Sequence, residues 1–251
     1  MGPAGWAAGS ERIVRRVMGE PTLYGPLHSS MVSAVRLAFL ALDLPHQVVE
    51  PDLHSLDSTR MTDLLPYFVA QAPTLVHDDL ALYDTEAILL YLDGWYGELL
   101  RREGIATRGA AITSGLLPDQ PRLLGMMWQM VAVIRDHLQP AAIGGVVAQK
   151  IFVPHLGGRP DTEKLAQAVA RQQDCLQLLE QITLLCHSGD QADYLVDSQP
   201  RLADLLLYPI VFLMMKTDLG SACLARSVRL SRWWLAISKL ECLRPGLPVL
   251  P

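Results

Sequence analysis

Three short stretches in the first hundred residues put polar groups where the chain changes direction. The first is "YGPLHSSMVSAVRLAFLALDL", residues 24–44. An apolar strand ends in Gly25-Pro26, and Ser29 and Ser30 precede an amphipathic helix. A helix N-terminus carries unpaired backbone N–H groups and roughly half a positive charge, so an anion bound there is stabilised. A serine hydroxyl adds one donor, and a thiol at such a place loses its proton well below the usual value of about 8.5. No cysteine precedes Cys175, so a thiolate at this helix end has to arrive with a ligand. Capping of the helix by Ser29 or Ser30 is the simpler use of the same residues.

The second stretch is "QAPTL", residues 71–75. A proline that opens a strand gives up its N–H. With a cis bond before Pro73, Ala72 would turn its backbone N–H and C=O outward, where an extended peptide can pair with them. The ordinary expectation at such a position is a trans proline. The third stretch is "YDTEAILLYL", in which Asp84-Thr85 stands where a strand hands over to a helix. Asp84 can cap that helix or take an ammonium group. Thr85, with its own N–H at the helix start, can grip a carboxylate. An amino-acid group would satisfy both.

The elements that must position these groups are legible from periodicity. Thr22–Gly25 reads as a strand, and residues 31–43 as a helix with Val32, Val35, Phe39 and Leu42 on one stripe. Leu44-Pro45 ends that helix, and "HQVVEP" is a second strand. "PTLVHDDLALYD" gives two strands joined at Asp78-Asp79, a hairpin signal. "TEAILLYLDGWY" is a helix with Ile88, Leu92 and Trp95 on one face. The second half has no convincing strand. Helices are expected at residues 119–152, 161–187, 201–217 and 222–240, the longest bent near Gln139-Pro140 or Gly144-Gly145. The fold class is therefore a small α/β domain followed by an all-α domain. Its expected boundaries are an N-terminal extension over residues 1–20, the α/β domain over 21–97, a linker over 98–118 and the helical domain over 119–251.

Composition narrows the function. Half of the 251 residues are hydrophobic, enough for a sizeable core, and the net charge is −5 with no dense basic cluster to face nucleic acid. No apolar run reaches the length of a membrane span. The first twenty residues hold no apolar core of a secretory signal. Cys175, Cys186, Cys223 and Cys242 form no C-x-x-C pair and have no partner at metal-ligand spacing. They read as reduced, buried thiols of a cytoplasmic protein, and no metal is expected.

Order and spacing carry more than any single stretch. Strand–serine–helix, then Gln71-Ala72-Pro73 before a strand, then Asp84-Thr85 opening a helix, then an all-helical half, resembles the glutathione transferase superfamily. The tyrosine–glycine and then serine is most similar to the plant phi class. "GLLPDQPRLLGMMWQM", "HLQPAAIGGVVAQKIFVPHLGGRPDTEKL", "YLVDSQPRLADLLLYPIV" and "LSRWWLAIS" are similar to successive helical segments of that family. The resemblance covers about residues 21–245. The chain departs from the pattern in four places. Asp84-Thr85 stands for the usual Glu-Ser. Arg201 replaces a capping Ser or Thr, with Ser198 as a substitute. Ala34 stands where many relatives have Arg, and Arg101–Ser114 looks inserted.

The resemblance implies a thioredoxin-like first domain and glutathione as co-substrate. Asp84 and Thr85 would take the γ-glutamyl ammonium and carboxylate, and the Ala72 backbone beside Gln71 and Pro73 would pair with its peptide middle. Ser29 would donate a hydrogen bond to the thiolate, which attacks a small apolar electrophile. Ser30 and Tyr24 are the other hydroxyls at this place. No clear match holds the glycine end; His54 and Arg60 are candidates. The electrophile pocket is expected between the two domains, with Met126, Met127, Trp128, Met130 and Ile134 as candidates for its wall and His28 for its mouth; plain helix core for the five and a solvated loop position for His28 are the simpler readings. Relatives imply a homodimer, keyed by Phe68 and Val69. The same thiol would also serve isomerisation, dehalogenation, ether cleavage or peroxide reduction, and a non-catalytic binding or assembly role uses the fold alone.

Overall fold

The computed structural model describes residues 19–50, 72–103, 111–187 and 193–250. Gln71, His54, Arg60, Phe68 and Val69 lie outside these residues. The chain divides into two compact units, one of residues 1–116 together with 245–251, the other of residues 117–244.

The first unit runs β1 (Thr22–Tyr24), α1 (Ser30–Ala41), β2 (Gln47–Val49), β3 (Thr74–His77), β4 (Leu80–Tyr83) and α2 (Thr85–Glu103). Its sheet has the order β2-β1-β3-β4, with β1 parallel to β2 and antiparallel to β3, and β3 antiparallel to β4. The expected stripe of α1 is its core face: Val32, Val35, Phe39 and Leu42 are all fully buried. Leu23 and Leu75 pair across the middle of the sheet and are also buried. The hairpin turns at Asp78, whose φ of 53° lies in the left-handed region, a conformation that Asp tolerates because its short side chain bonds locally. α2 runs past Gly97 to Glu103 rather than giving way to a linker; one glycine costs a helix only about 1 kcal/mol.

The second unit contains α3 (Pro121–Val133), α4 (Thr162–Cys186), α5 (Leu202–Met214), α6 (Asp218–Leu224) and α7 (Val228–Ile237). After α3 the winding widens to the π form over Ile134–Leu138 and Pro140–Phe152. The Gln139 N–H donates to Ile134 C=O, and the Val153 N–H to Ala148 C=O, each five residues back. Pro140 has no N–H to give to a regular α ladder. The irregularity expected at the proline and the glycines is therefore spread over several turns. The single helix expected over 222–240 is two helices. α6 starts earlier, at Asp218 behind its Thr217 cap, and the chain breaks before α7.

Packing of α4 on this wide helix depends on a small residue. An ideal Cβ on Gly145 would stand 2.3 Å from Ala168 Cβ, closer than two side chains can approach. Gly145→Leu should lower the unfolding free energy by about 1–3 kcal/mol through overpacking. Urea unfolding of the variant checks this, and an unchanged midpoint would mean that the two helices part at no cost.

Asp204, in the same unit, is fully inaccessible. Its Oδ1 accepts N–H bonds from Leu195 (2.9 Å) and from the Trp233 indole (2.8 Å), and its Oδ2 accepts from the Arg201 backbone (2.8 Å). The Asp204 N–H, which a capping serine or threonine at position 201 would take, donates instead to the Arg201 C=O (3.0 Å), and Ser198 is exposed. The Arg201 guanidinium turns to Asp197 (2.8 Å) and Leu117 C=O (3.0 Å). Cys175, Cys186 and Cys223 are buried as expected, but Cys242 is exposed. Burial pushes the Cys186 thiol up to about 11.

Candidate thiol site at one end of the sheet

The strand register brings the three stretches together. Val49, Tyr24, Thr74 and Tyr83 form one line across the sheet. β1, β2 and β4 leave the sheet at this line, and β3 enters it there. With neighbouring strands about 4.8 Å apart, the ends of β1 and β4 are separated by about 10 Å. The Ser29 loop, the Ala72–Pro73 bend and the Asp84–Thr85 corner therefore share one edge, and both α1 and α2 start there.

Ser29 is the N-cap of α1, and its Oγ accepts from the Val32 N–H at 3.3 Å. An oxygen that accepts one hydrogen bond keeps its own proton to donate, so capping and anion binding are compatible. Ser29 is half-buried, whereas Ser30, one residue on, is 2% exposed. Tyr24 is half-buried and His28 exposed. No acidic residue sits in the first turn of α1 to oppose an anion.

The loop before Ser29 is held by its own backbone. Gly25 N–H donates to Val49 C=O (3.1 Å), Leu27 N–H to the Glu50 carboxylate (2.9 Å), and Ser29 N–H to Pro26 C=O (3.0 Å). Gly25 has a φ of 155°, and a Cβ there would meet Val32 Cγ2 at 2.4 Å and Ala72 Cβ at 3.2 Å. The glycine thus lets the loop, the first turn of α1 and Ala72 close on one another. The Ala72–Pro73 bond is cis, not the trans bond expected of an isolated X-Pro, and Ala72 is exposed while Pro73 is buried.

Asp84 has a φ of 75°, left-handed for a residue with a side chain. Its Oδ1 accepts from Ala87 N–H (3.1 Å) and its C=O from Ile88 N–H (3.1 Å), so it caps α2. Asp84 is exposed and Thr85 is 5% exposed. A strained, capping residue at a helix start is a pattern that recurs at ligand clamps. In the second unit Met127 and Met130 are fully buried, while Met126 and Trp128 are half-buried. Glu50 and Leu27 carried no sign in the sequence; Glu50 is a plain acidic residue after a strand, and only the fold shows where it turns. Among the described residues no cluster of His, Cys, Asp or Glu that could hold a metal is found, and no helix is long and apolar enough to cross a membrane.

Residues 23–99 match the family described as "Glutathione S-transferase, N-terminal domain". No curated protein matches the chain in sequence. Among solved structures, glutathione S-transferase III in apo form is 22% identical, with a TM-score of 0.73 over 93% of this chain and 99% of that one. Glutathione transferase F2 from Populus trichocarpa is 22% identical, with a TM-score of 0.72 over 90% and 96%. Glutathione S-transferase I from mais, in complex with an atrazine glutathione conjugate, is 19% identical, with a TM-score of 0.70 over 91% and 96%. The two-unit fold read from the sequence is the fold of these proteins.

Proposed function

We propose that this chain, which has the fold of the glutathione transferases and matches their N-terminal domain over residues 23–99, activates the thiol of glutathione for attack on a small apolar electrophile. The observation that carries the reading is the register line through Tyr24, Thr74 and Tyr83. It gathers a serine at a helix N-terminus, an exposed backbone beside a cis proline and an Asp-Thr corner along an edge of tripeptide length.

Each part of glutathione has a partner in this arrangement. Its carboxylate meets the N-terminus of α2 and Thr85, and its ammonium meets Asp84. Its central peptide pairs with the Ala72 backbone. Its thiol reaches Ser29 and the N-terminus of α1. There the sulfur loses its proton to solvent and the thiolate is held by the Ser29 O–H and the positive helix end. The thiolate then forms a bond to carbon and expels the leaving group, so Ser29 is a donor throughout and neither a base nor a nucleophile. The exposure difference favours Ser29 over Ser30. On this reading the chain works in the cytoplasm as a homodimer, with its electrophile site on the helical unit.

Calorimetric titration with glutathione tests the reading. The unaltered chain should bind in the micromolar-to-millimolar range, and Thr85→Ala about tenfold more weakly, the cost of one hydrogen bond to a charged group. Absence of binding by the unaltered chain would overturn the transferase reading and leave a non-catalytic role for the fold. Binding without formation of a stable adduct would point instead to isomerase or peroxidase use of the same thiol.

A further inference from the structure

The segment that follows the helical unit in the chain returns to the first unit and ends beside the serine loop. The Arg36 guanidinium, on α1, donates to Pro245 C=O (2.5 Å). Gly246 lies against α1, where an added Cβ would stand 2.9 Å from both Leu37 Cδ2 and Leu40 Cδ1. Pro248 is buried, and Val249 N–H donates to Leu27 C=O (3.0 Å). Val249 itself is 57% exposed, so its attachment is through its backbone rather than through burial of its side chain.

Leu27 stands two residues before Ser29. Its N–H is taken by Glu50 and its C=O by Val249. Around it, Gly25 is tied to β2 and Ser29 to Pro26 and the first turn of α1. Of these ties, only that from Val249 comes from residues made after the helical unit. It also acts on the short piece of loop between Gly25 and Ser29, which no strand pairing holds.

We infer that residues 245–250 are a positioning strap for the thiol site. The Val249 N–H, with Arg36 and Gly246 anchoring the strap to α1, fixes the Leu27 carbonyl and so holds the Ser29 hydroxyl in register with the N-terminus of α1. The role in catalysis rests on the transferase reading; the mechanical role does not. A donor misplaced by about 1 Å costs on the order of a hundredfold in rate in well-ordered sites. Loosening one tie of several should cost less, about tenfold.

The test uses the full chain, Val249→Pro, which removes the donated N–H but also fixes φ there, Val249→Ala, which keeps the N–H, and a chain ending at Leu247, which removes the same tie without a proline. The first readout is amide hydrogen exchange at Leu27, Ser29 and Val32, which reports local opening without any ligand. Val249→Pro and the shortened chain should exchange there about tenfold faster, with α4 and α5 unaffected, and Val249→Ala should match the parent. The second readout is the pH titration of the bound glutathione thiol by ultraviolet absorption, with kcat. The apparent thiol pKa should rise and kcat should fall, while affinity for glutathione holds, a split that general loss of stability would not give. Unchanged exchange in both strap variants would overturn the strap. Faster exchange with an unchanged thiol pKa and kcat would overturn its positioning role. If the parent binds no glutathione, the transferase reading and the catalytic half of the inference fall together, and exchange still decides the mechanical half.

Discussion

Ser29→Ala should lower kcat by about 10²–10³, the usual loss when one donor aimed at a developing or bound anion is removed. Two effects are combined in this variant. The Val32 N–H loses its cap (3.3 Å to Oγ), which costs about 1 kcal/mol of stability, and the thiolate loses its only side-chain donor in the proposed site. Ser29→Thr separates them, since it keeps both cap and hydroxyl, and it should recover much of the rate. The bound thiol of Ser29→Ala should also titrate at higher pH than in the parent, because the ionised form has lost a hydrogen bond. Steady-state rates across pH with a dinitrophenyl halide check both points. Full activity in Ser29→Ala with loss in Ser30→Ala would assign the thiol to Ser30, despite its burial.

The second large effect is on stability. Asp204→Ala should cost about 3–5 kcal/mol, because it leaves three buried N–H groups, of Leu195, Arg201 and Trp233, with no acceptor. That is a large part of the total stability of a typical domain. Asp204→Asn should cost less, since its remaining oxygen can keep the bonds now made to Oδ1. Denaturant unfolding checks the order of the three proteins.

The same carboxyl makes stability depend on pH. Burial pushes Asp204 up to about 7 from an ordinary 3.8, against the opposing pull of its three donated N–H bonds. The folded chain therefore holds this proton more tightly than the unfolded chain between those values. The stabilisation is full below about 4 and is lost as the pH rises through about 7. The stability difference between the parent and Asp204→Asn should accordingly be largest in acid and shrink towards neutrality, by at most about 1.4 kcal/mol per pH unit. A difference that stays flat over this range would mean that the donated bonds keep the carboxylate ionised throughout.

What the sequence made legible was local. The stripe Val32–Val35–Phe39–Leu42, the serine cap, the Asp78-Asp79 turn and the Asp84-Thr85 corner all act within a few residues of themselves, and α1, the β3–β4 hairpin and the start of α2 stand where they indicate. Properties that depend on distant partners were not legible. The isomer of Ala72-Pro73 is selected by surroundings that an isolated dipeptide lacks. Arg36 meets Pro245, and Leu27 meets Val249, across more than two hundred residues. In the sequence Asp204 is one acidic residue among apolar ones, and its buried carboxylate bonds Trp233, on another helix.

The return of residues 245–250 to the first unit also sets an order in time. A ribosome emits the sheet and α1 early, then all of residues 117–244, and only then the amide that ties down Leu27. During that interval the nascent serine loop has its strand and its helix but not its last fastening. The first unit to be translated is therefore the last to be finished, and a chain interrupted before Pro245 already carries every proposed glutathione-binding residue, but with Ser29 at the end of a loop that has yet to be closed.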